Sequence, residues 1–206
     1  MVASLSPQYK LMTVMGYEAE TQSDAFIAHF HKTIKMTVKK QIVFILQIKL
    51  EWTENAVSLS QNRQIKCMKE KLDVYDSERV FTTSMETKIK LTKGDVNNLP
   101  DVPYCELVCS LPSIARYTLP DSLFAVTLLC RFLTNYTEVH RKAANRNACY
   151  TASSTDRELL YTRNMEAPVL ELSTDSDWGR DQIHGRSTSG VLLLLYGNNV
   201  AWSTEK

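Results

Sequence analysis

Leu172-Ser173-Thr174-Asp175-Ser176-Asp177-Trp178-Gly179, followed by Gly185-Arg186-Ser187-Thr188-Ser189-Gly190 and by Val191-Leu192-Leu193-Leu194-Leu195-Tyr196, is the most structured reading in the chain. Val169 to Thr174 reads as a strand, with two acidic residues two apart at its end. A polar turn follows, and Ser187 to Tyr196 reads as a second strand, rich in apolar side chains. Gly197-Asn198-Asn199 reads as a hairpin turn into a third strand, Val200 to Thr204. The Val191–Tyr196 run is apolar on both faces. One face therefore needs a cover: the helix beginning at Pro120, a partner chain, or misassembly.

Upstream of Pro168 the pattern is mainly helical. Pro120 to Thr134 is the best helix, with Pro120 in the first turn, Asp121 near the N-terminus and Leu123, Val126, Leu129, Cys130 and Leu133 in one stripe. That stripe reads as core rather than as a binding face. Tyr104 to Ala115 is a helical pattern damaged by Pro112, after the breaker Leu99-Pro100-Asp101-Val102-Pro103. Val139 to Thr155 is a helix weakened by Asn145, Asn147, Ser153, Ser154 and Thr155. Earlier, Ser23 to Thr37 reads as a helix carrying Phe26, Ile27, Phe30 and Ile34. Gln41 to Trp52 reads as one strand, Ala56 to Ser60 as a returning strand, and Gln61 to Leu72 as a helix with Ile65, Met68 and Leu72 on one face. Phe81 to Gly94 is loop-like, and residues 1–20 show no clear period.

The chain has 206 residues, is 44% hydrophobic and 23% charged, and carries a formal net charge of +1. That balance argues against bulk disorder and fits one domain or two small ones. Locally, Lys32, Lys35, Lys39 and Lys40 stand together without an acid, and Arg141 to Arg146 is also basic. Each stretch reads either as a solvated helix face or as a nucleic-acid contact. The five cysteines are odd in number and show no zinc spacing, so they read as buried free thiols in a reducing compartment. The start of the chain lacks the apolar core of a signal peptide, and no apolar run reaches membrane-spanning length. These features predict an intracellular protein, cytoplasmic or nuclear.

Taken in order, the motifs resemble the later part of Ty/copia-type retrotransposon Pol polyproteins. Met36, then Leu46-Gln47-Ile48 where that family has Leu-Gly-Ile, resemble the segment after the polymerase active site. Leu59-Ser60-Gln61 resembles the motif before the thumb helix, and Thr83-Ser84-Met85 a Thr-Pro-Met with the proline lost. Pro103-Tyr104 to Leu111, Arg116-Tyr117-Thr118-Leu119-Pro120-Asp121, Arg131-Phe132-Leu133-Thr134-Asn135 and His140 continue the series. Asp175-Ser176-Asp177-Trp178, Ser187-Thr188-Ser189-Gly190 and Trp202-Ser203-Thr204 close it as the opening β-meander of an RNase H domain. The collinearity runs over residues 25–205.

The resemblance implies an α+β fold: a reverse-transcriptase thumb/connection-like helical region followed by a truncated RNase H-like β-meander. It divides the chain into a lead-in (1–22), a palm-end and thumb-like remnant (23–98), a helical connection (99–166) and RNase H-like strands (167–206). It places Asp175 as the first metal-binding carboxylate of RNA cleavage and Asp177 as a secondary one. Intact relatives use Mg²⁺ held by several carboxylates. Residues 9–20 contain no Asp pair of the polymerase type, and the further RNase H carboxylates are expected beyond Lys206. The implied reading is a degenerate Pol fragment with neither polymerase nor RNase H activity and no cofactor of its own. The alternatives are a co-opted nucleic-acid or protein-binding module, self-associating through its C-terminal strands, or a secreted host-directed effector. No membrane partner is expected.

Overall fold

The computed structural model describes residues 2–5, 12–14, 28–29, 32, 36–39, 43–71, 80–95, 103–177 and 185–205. The fold is mixed α+β, and the chain divides into two compact units, Met1–Leu46 and Gln47–Lys206.

In the first unit, β1 (Val2–Leu5), β2 (Met12–Val14) and β3 (Met36–Lys39) form an antiparallel sheet of order β2-β1-β3. Ala3 stands opposite Thr13 on one side and Val38 on the other. Two expectations change among the described residues. Residues 2–5 and 12–14 of the expected lead-in are strands, and Met36 and Thr37 leave the expected helix for a strand. Pairing partners distant in sequence decide both, where local spacing carries no signal. Ala28 and His29 are helical and Lys32 lies in a turn; the rest of the expected Ser23–Thr37 helix, up to 35, lies outside the described residues.

The expected single strand from Gln41 to Trp52 is broken. β4 (Phe44–Ile45) and β5 (Ile48–Trp52) are separated by a turn at Leu46 and Gln47, with φ of 48° and 68°. Two consecutive positive φ values are unusual for residues bearing a Cβ.

In the second unit, β6 (Ala56–Ser60) pairs antiparallel with β5, setting Leu50 opposite Leu59. Its other edge takes β7 (Leu159–Thr162), a strand the sequence pattern does not announce, with Val57 opposite Tyr161. Helix α1 (Asn62–Lys71) follows β6 and buries Ile65 and Met68, as their helical spacing predicts.

The core lies among the remaining helices. α2 (Tyr104–Ser110) and α3 (Pro112–Tyr117) are joined at Leu111, so Pro112 does not damage one helix but starts the next. At a first-turn position its missing N–H costs nothing. A 3₁₀ turn (Pro120–Ser122) leads into α4 (Leu123–Cys130), shorter than expected, which buries Val126 and Leu129 completely. α5 (Glu138–Ser153) packs beside it, presenting Ala143, Ala144 and Ala148 to the same core. Small residues there let the helices approach closely. Asn147, expected to weaken this helix, is fully buried and hydrogen-bonded.

The C-terminal sheet has order β10-β9-β8, from β8 (Leu170–Ser176), β9 (Ser189–Leu195) and β10 (Asn198–Glu205). The hairpin turn falls one residue earlier than expected, at Tyr196 and Gly197, with φ of 49° and 72°. Two contacts seat this sheet. The Trp202 indole N–H donates to the Ala115 carbonyl of α3 at 3.1 Å. The Asn198 amide accepts from the Thr162 N–H at 2.8 Å and donates to the Thr162 carbonyl at 3.0 Å, replacing a peptide unit beside β7. No described helix is long and apolar enough to cross a membrane.

Candidate functional site

Strand register decides what the acidic motif can do. Asp175 stands opposite Gly190, which in turn stands opposite Thr204. Side chains alternate across a strand, so Asp175 shares a sheet face with Glu171, Ser173, Leu192 and Trp202. Asp175 is exposed, on a strand that is exposed along its whole length. A Cβ placed on Gly190 would meet nothing within 4 Å, so the space beside the Asp175 carboxylate is open. Glu205 stands opposite Ser189 and Ser176, one register step away, which puts it on the other face.

Asp177 has a different part. Its carboxylate accepts the Thr188 N–H at 2.6 Å, while its own N–H donates to the Thr188 carbonyl at 3.0 Å. It closes the base of the β8–β9 connection, a structural role that engages one of its two carboxylate oxygens. Two Mg²⁺ ions need several oxygens in fixed geometry. Among the described residues, no three His, Cys, Asp or Glu side chains gather where they could hold a metal. The described residues do not fit a two-metal centre.

Of the basic candidates, Lys32 is exposed in a turn and Lys39 ends β3. Lys35 and Lys40 lie outside the described residues. Between Arg141 and Arg146 the charge is largely engaged. The Arg141 guanidinium donates to the Glu138 carboxylate at 2.8 and 2.9 Å. The Arg146 guanidinium lies 4.5 Å over the Phe81 ring and donates to the Thr83 hydroxyl at 2.9 Å. The more available positive face is on α1, where Arg63, Lys66 and Lys69 are exposed at three-residue spacing. The alternation Arg-x-x-Lys-x-x-Lys was visible in sequence, but its exposure depends on Ile65 and Met68 turning inward.

The motifs carrying the family resemblance meet in a polar knot rather than in a catalytic cleft. The Ser84 hydroxyl donates to the Asp121 carbonyl at 3.0 Å, and the Asn147 amide donates to the Ser84 carbonyl at 3.3 Å and to the Ser122 hydroxyl at 3.1 Å. Tyr150 donates to the Asp121 carboxylate, and Arg157 donates to the Tyr150 oxygen at 3.1 Å. Burial, followed by the Asp121 carboxylate, holds the Tyr150 hydroxyl pKa above its ordinary value. Gln61 is buried, accepting from Thr118 at 2.9 Å and donating to Gln64 at 2.7 Å. His140 is fully buried, and its Nδ1 accepts the Thr137 N–H at 3.0 Å in a capping box. These contacts pin the 80–95 loop and the helix ends to one another. The arrangement suits scaffolding.

Comparison with known proteins bears on the family resemblance of these motifs. The chain is 28% identical over 164 residues to the Retrovirus-related Pol polyprotein from transposon RE2 of Arabidopsis thaliana, covering 79% of this chain and 11% of that one. It is 27% identical over 172 residues to the corresponding polyprotein from transposon TNT 1-94 of Nicotiana tabacum, covering 80% and 13%. It is also 33% identical over 108 residues to Secreted RxLR effector protein 161 of Plasmopara viticola, covering 52% of this chain and 75% of that protein. No family model and no solved structure matches the chain. The chain thus spans little more than a tenth of the length of these Pol relatives. With its motifs in collinear order, it belongs to the Ty/copia-type retrotransposon Pol polyproteins, as a fragment of one.

Proposed function

We propose that this fragment is a catalytically silent piece of a copia-type Pol, a scaffold remnant joining reverse-transcriptase thumb and connection (residues 23–166) to the opening strands of an RNase H-like domain (167–206). The supporting observation is the separation of its carboxylates. Asp175 is exposed on the Trp202 face of the sheet, Glu205 is on the opposite face, and Asp177 is tied to the Thr188 amide. Hydrolysis of an RNA strand through two metals needs carboxylates converging on one point. The assay is cleavage of a labelled RNA:DNA hybrid in Mg²⁺ by the wild-type chain and by Asp175→Asn. We expect no cleavage by either. Cleavage by the wild type that disappears in Asp175→Asn would overturn the reading.

The nucleic-acid affinity of such a remnant rests on α1, with Arg63, Lys66 and Lys69 as phosphate contacts. Binding of this kind weakens as salt rises, with a slope set by the number of phosphates neutralised. Reversing two charges, Lys66→Glu with Lys69→Glu, should flatten the slope by about 2. Unchanged binding and slope would remove α1 from the interface. A second reading, a host-directed effector built on the same fragment, is favoured by the extent to which the chain covers Secreted RxLR effector protein 161. Its test is whether the full-length natural product is found outside the producing cell.

A further inference from the structure

Sequence and structure part at two places on the surface. Cys67, Cys105 and Cys109, expected in the core, are exposed. The C-terminal sheet, whose apolar content asks for a cover, ends at β8 in an edge that no described strand occupies. Every residue of β8 is exposed. The backbone direction along that edge follows from two hydrogen bonds. The Asp177 N–H donates to the Thr188 carbonyl at 3.0 Å, and the Tyr196 N–H donates to the Val169 carbonyl at 3.2 Å. Backbone polar groups alternate from side to side along a strand, and the β8–β9 register is unbroken between those two bonds. Odd-numbered residues from Val169 to Asp177 therefore face β9. Leu170, Leu172, Thr174 and Ser176 turn their N–H and C=O groups outward. Side chains divide as well, Leu170 and Leu172 to one face of the sheet and Glu171 and Asp175 to the other.

Nothing blunts this edge. β8 carries no proline, lysine or bulge, the features that keep an exposed edge from pairing. The opposite edge is different: β10 is bulged between Asn199 and Ala201, and its Asn198 amide is engaged with Thr162. Charge then selects the occupant. The three strands contain Glu171, Asp175 and Glu205 and no lysine or arginine. Among the described residues, neither Glu171 nor Asp175 stands in an ion pair. Two copies joined through β8 would line the Glu171 and Asp175 carboxylates of both along one face with no cation among them, which opposes pairing.

We propose that the β8 edge takes up an extended cationic segment of a partner protein as a further strand, antiparallel to β8. Lysine or arginine side chains of that segment lie against Glu171 and Asp175, and its apolar side chains continue the Leu170–Leu172 face. A strand alternating basic and apolar residues matches both faces at once. Main-chain hydrogen bonds to the outward groups supply affinity, and the carboxylates supply the preference. In an antiparallel pair, directly opposed residues exchange both backbone bonds or neither. The partner's apolar residues, opposite Leu170 and Leu172, therefore bond to β8, while the N–H groups of its basic residues point away.

The test uses the full chain and a blocked synthetic peptide that alternates lysine and valine over the length of β8, followed by fluorescence anisotropy and amide hydrogen exchange. Binding should slow exchange at Leu170, Leu172, Thr174 and Ser176 and leave Glu171, Ser173 and Asp175 as they are. N-methylation of the valines should abolish binding, whereas N-methylation of the lysines should preserve it. Glu171→Lys with Asp175→Lys should weaken binding roughly tenfold. Both positions are exposed, so that variant is expected to fold, which its circular dichroism checks, and the methylated peptides decide the matter on the wild type alone. No binding, binding by the valine-methylated peptide, or equal binding by a peptide with its lysines grouped at one end would each overturn the proposal. So would protection of the outward amides that rises with protein concentration without peptide, which would give the edge to a second copy.

Discussion

Within the Gln47–Lys206 unit, the helical layer and the C-terminal sheet treat the same residue type in opposite ways. Leu129 of α4 is fully buried, whereas Leu170 and Leu172 of β8 are 61% and 63% exposed. In the helices, one apolar stripe meets another and polar side chains are consumed in the Asn147–Ser122–Ser84 knot. In the sheet, register places Trp202, Leu192 and Leu194 on one face. It sends Leu170, Leu172, Val191, Leu193 and Leu195 to the other. The first face is held against the helices through Trp202 and Ala115. The second leaves Val191 at 38% and Leu195 at 40% exposure, so the apolar content of β9 does not translate into burial. A residue's hydrophobicity contributes to stability only where a facing layer removes it from water.

That contrast can be broken directly. Leu129→Ala should destabilise the unit by about 2–5 kcal/mol, from lost burial and the cavity left behind. Leu172→Ala should change stability by no more than about 0.5 kcal/mol. Urea denaturation of both variants decides it. An equal loss in both would mean the outer sheet face is covered. The sharper companion is Leu172→Lys, which should leave the urea midpoint in place while reducing concentration-dependent association in sedimentation, if the exposed face drives self-association.

A second prediction probes the loop that the helical layer holds down. Gly94 donates its N–H to the Asn135 carbonyl at 2.7 Å, and a Cβ there would stand 2.7 Å from the Thr137 methyl and 2.8 Å from the Tyr136 carbonyl. Gly94→Ala should therefore cost about 1–3 kcal/mol by overpacking. Gly190→Ala, whose Cβ meets nothing within 4 Å, should be nearly neutral. Thermal melts of the pair give the same ordering if the helical layer is the tightly packed one.

A third turns on pH. His140 is buried between Phe132, 4.2 Å away between ring centroids, and Tyr104, at 6.4 Å. Its Nδ1 accepts the Thr137 N–H at 3.0 Å, so the ring is neutral with its proton on Nε2. Burial lowers its pKa below the ordinary 6.5. The unfolded chain therefore takes up a proton first as pH falls. The stabilisation is fully present above about pH 6.5 and is lost as pH falls from there through the folded pKa. His140→Gln, which can still serve a capping box, should be less stable at neutral pH but lose the acid sensitivity. Urea midpoints at pH 7.5 and 5.5 measure both effects. An unchanged acid slope in the variant would assign the sensitivity to another group.

Legibility in the sequence followed the same division. The α4 stripe and the Ile65/Met68 face could be read because helical burial repeats within a few residues. Strands β1, β2 and β7 could not, because what makes them strands is a partner elsewhere in the chain. For β7 that partner lies about a hundred residues earlier. Asn147 looked like damage because propensity counts only the local cost of an amide in a helix. Its Ser84 and Ser122 partners become visible only in three dimensions. The acidic motif was legible as ancestry but not as chemistry: nothing local says that Asp177 spends its carboxylate on Thr188 or that Glu205 falls on the wrong face.

The smallest expected effect concerns two turns that make the same bend with different residues. Tyr196-Gly197 has φ of 49° and 72°, and Leu46-Gln47 has φ of 48° and 68°. At the second position one turn keeps glycine, which reaches positive φ without a Cβ penalty, and the other places glutamine there. The sequence resemblance had already marked Gln47 as standing where the family has glycine. The backbone at Gln47 takes a positive φ that glycine reaches freely and a side chain with a Cβ does not, so the position is strained. Gln47→Gly should accordingly stabilise the chain by about 0.5–1 kcal/mol, and Gly197→Gln should cost a similar amount. Strain relief at Leu46-Gln47 must outweigh the added freedom of glycine in the unfolded chain. A destabilised Gln47→Gly would therefore show that the turn derives its conformation from neighbours strong enough to make the residue irrelevant.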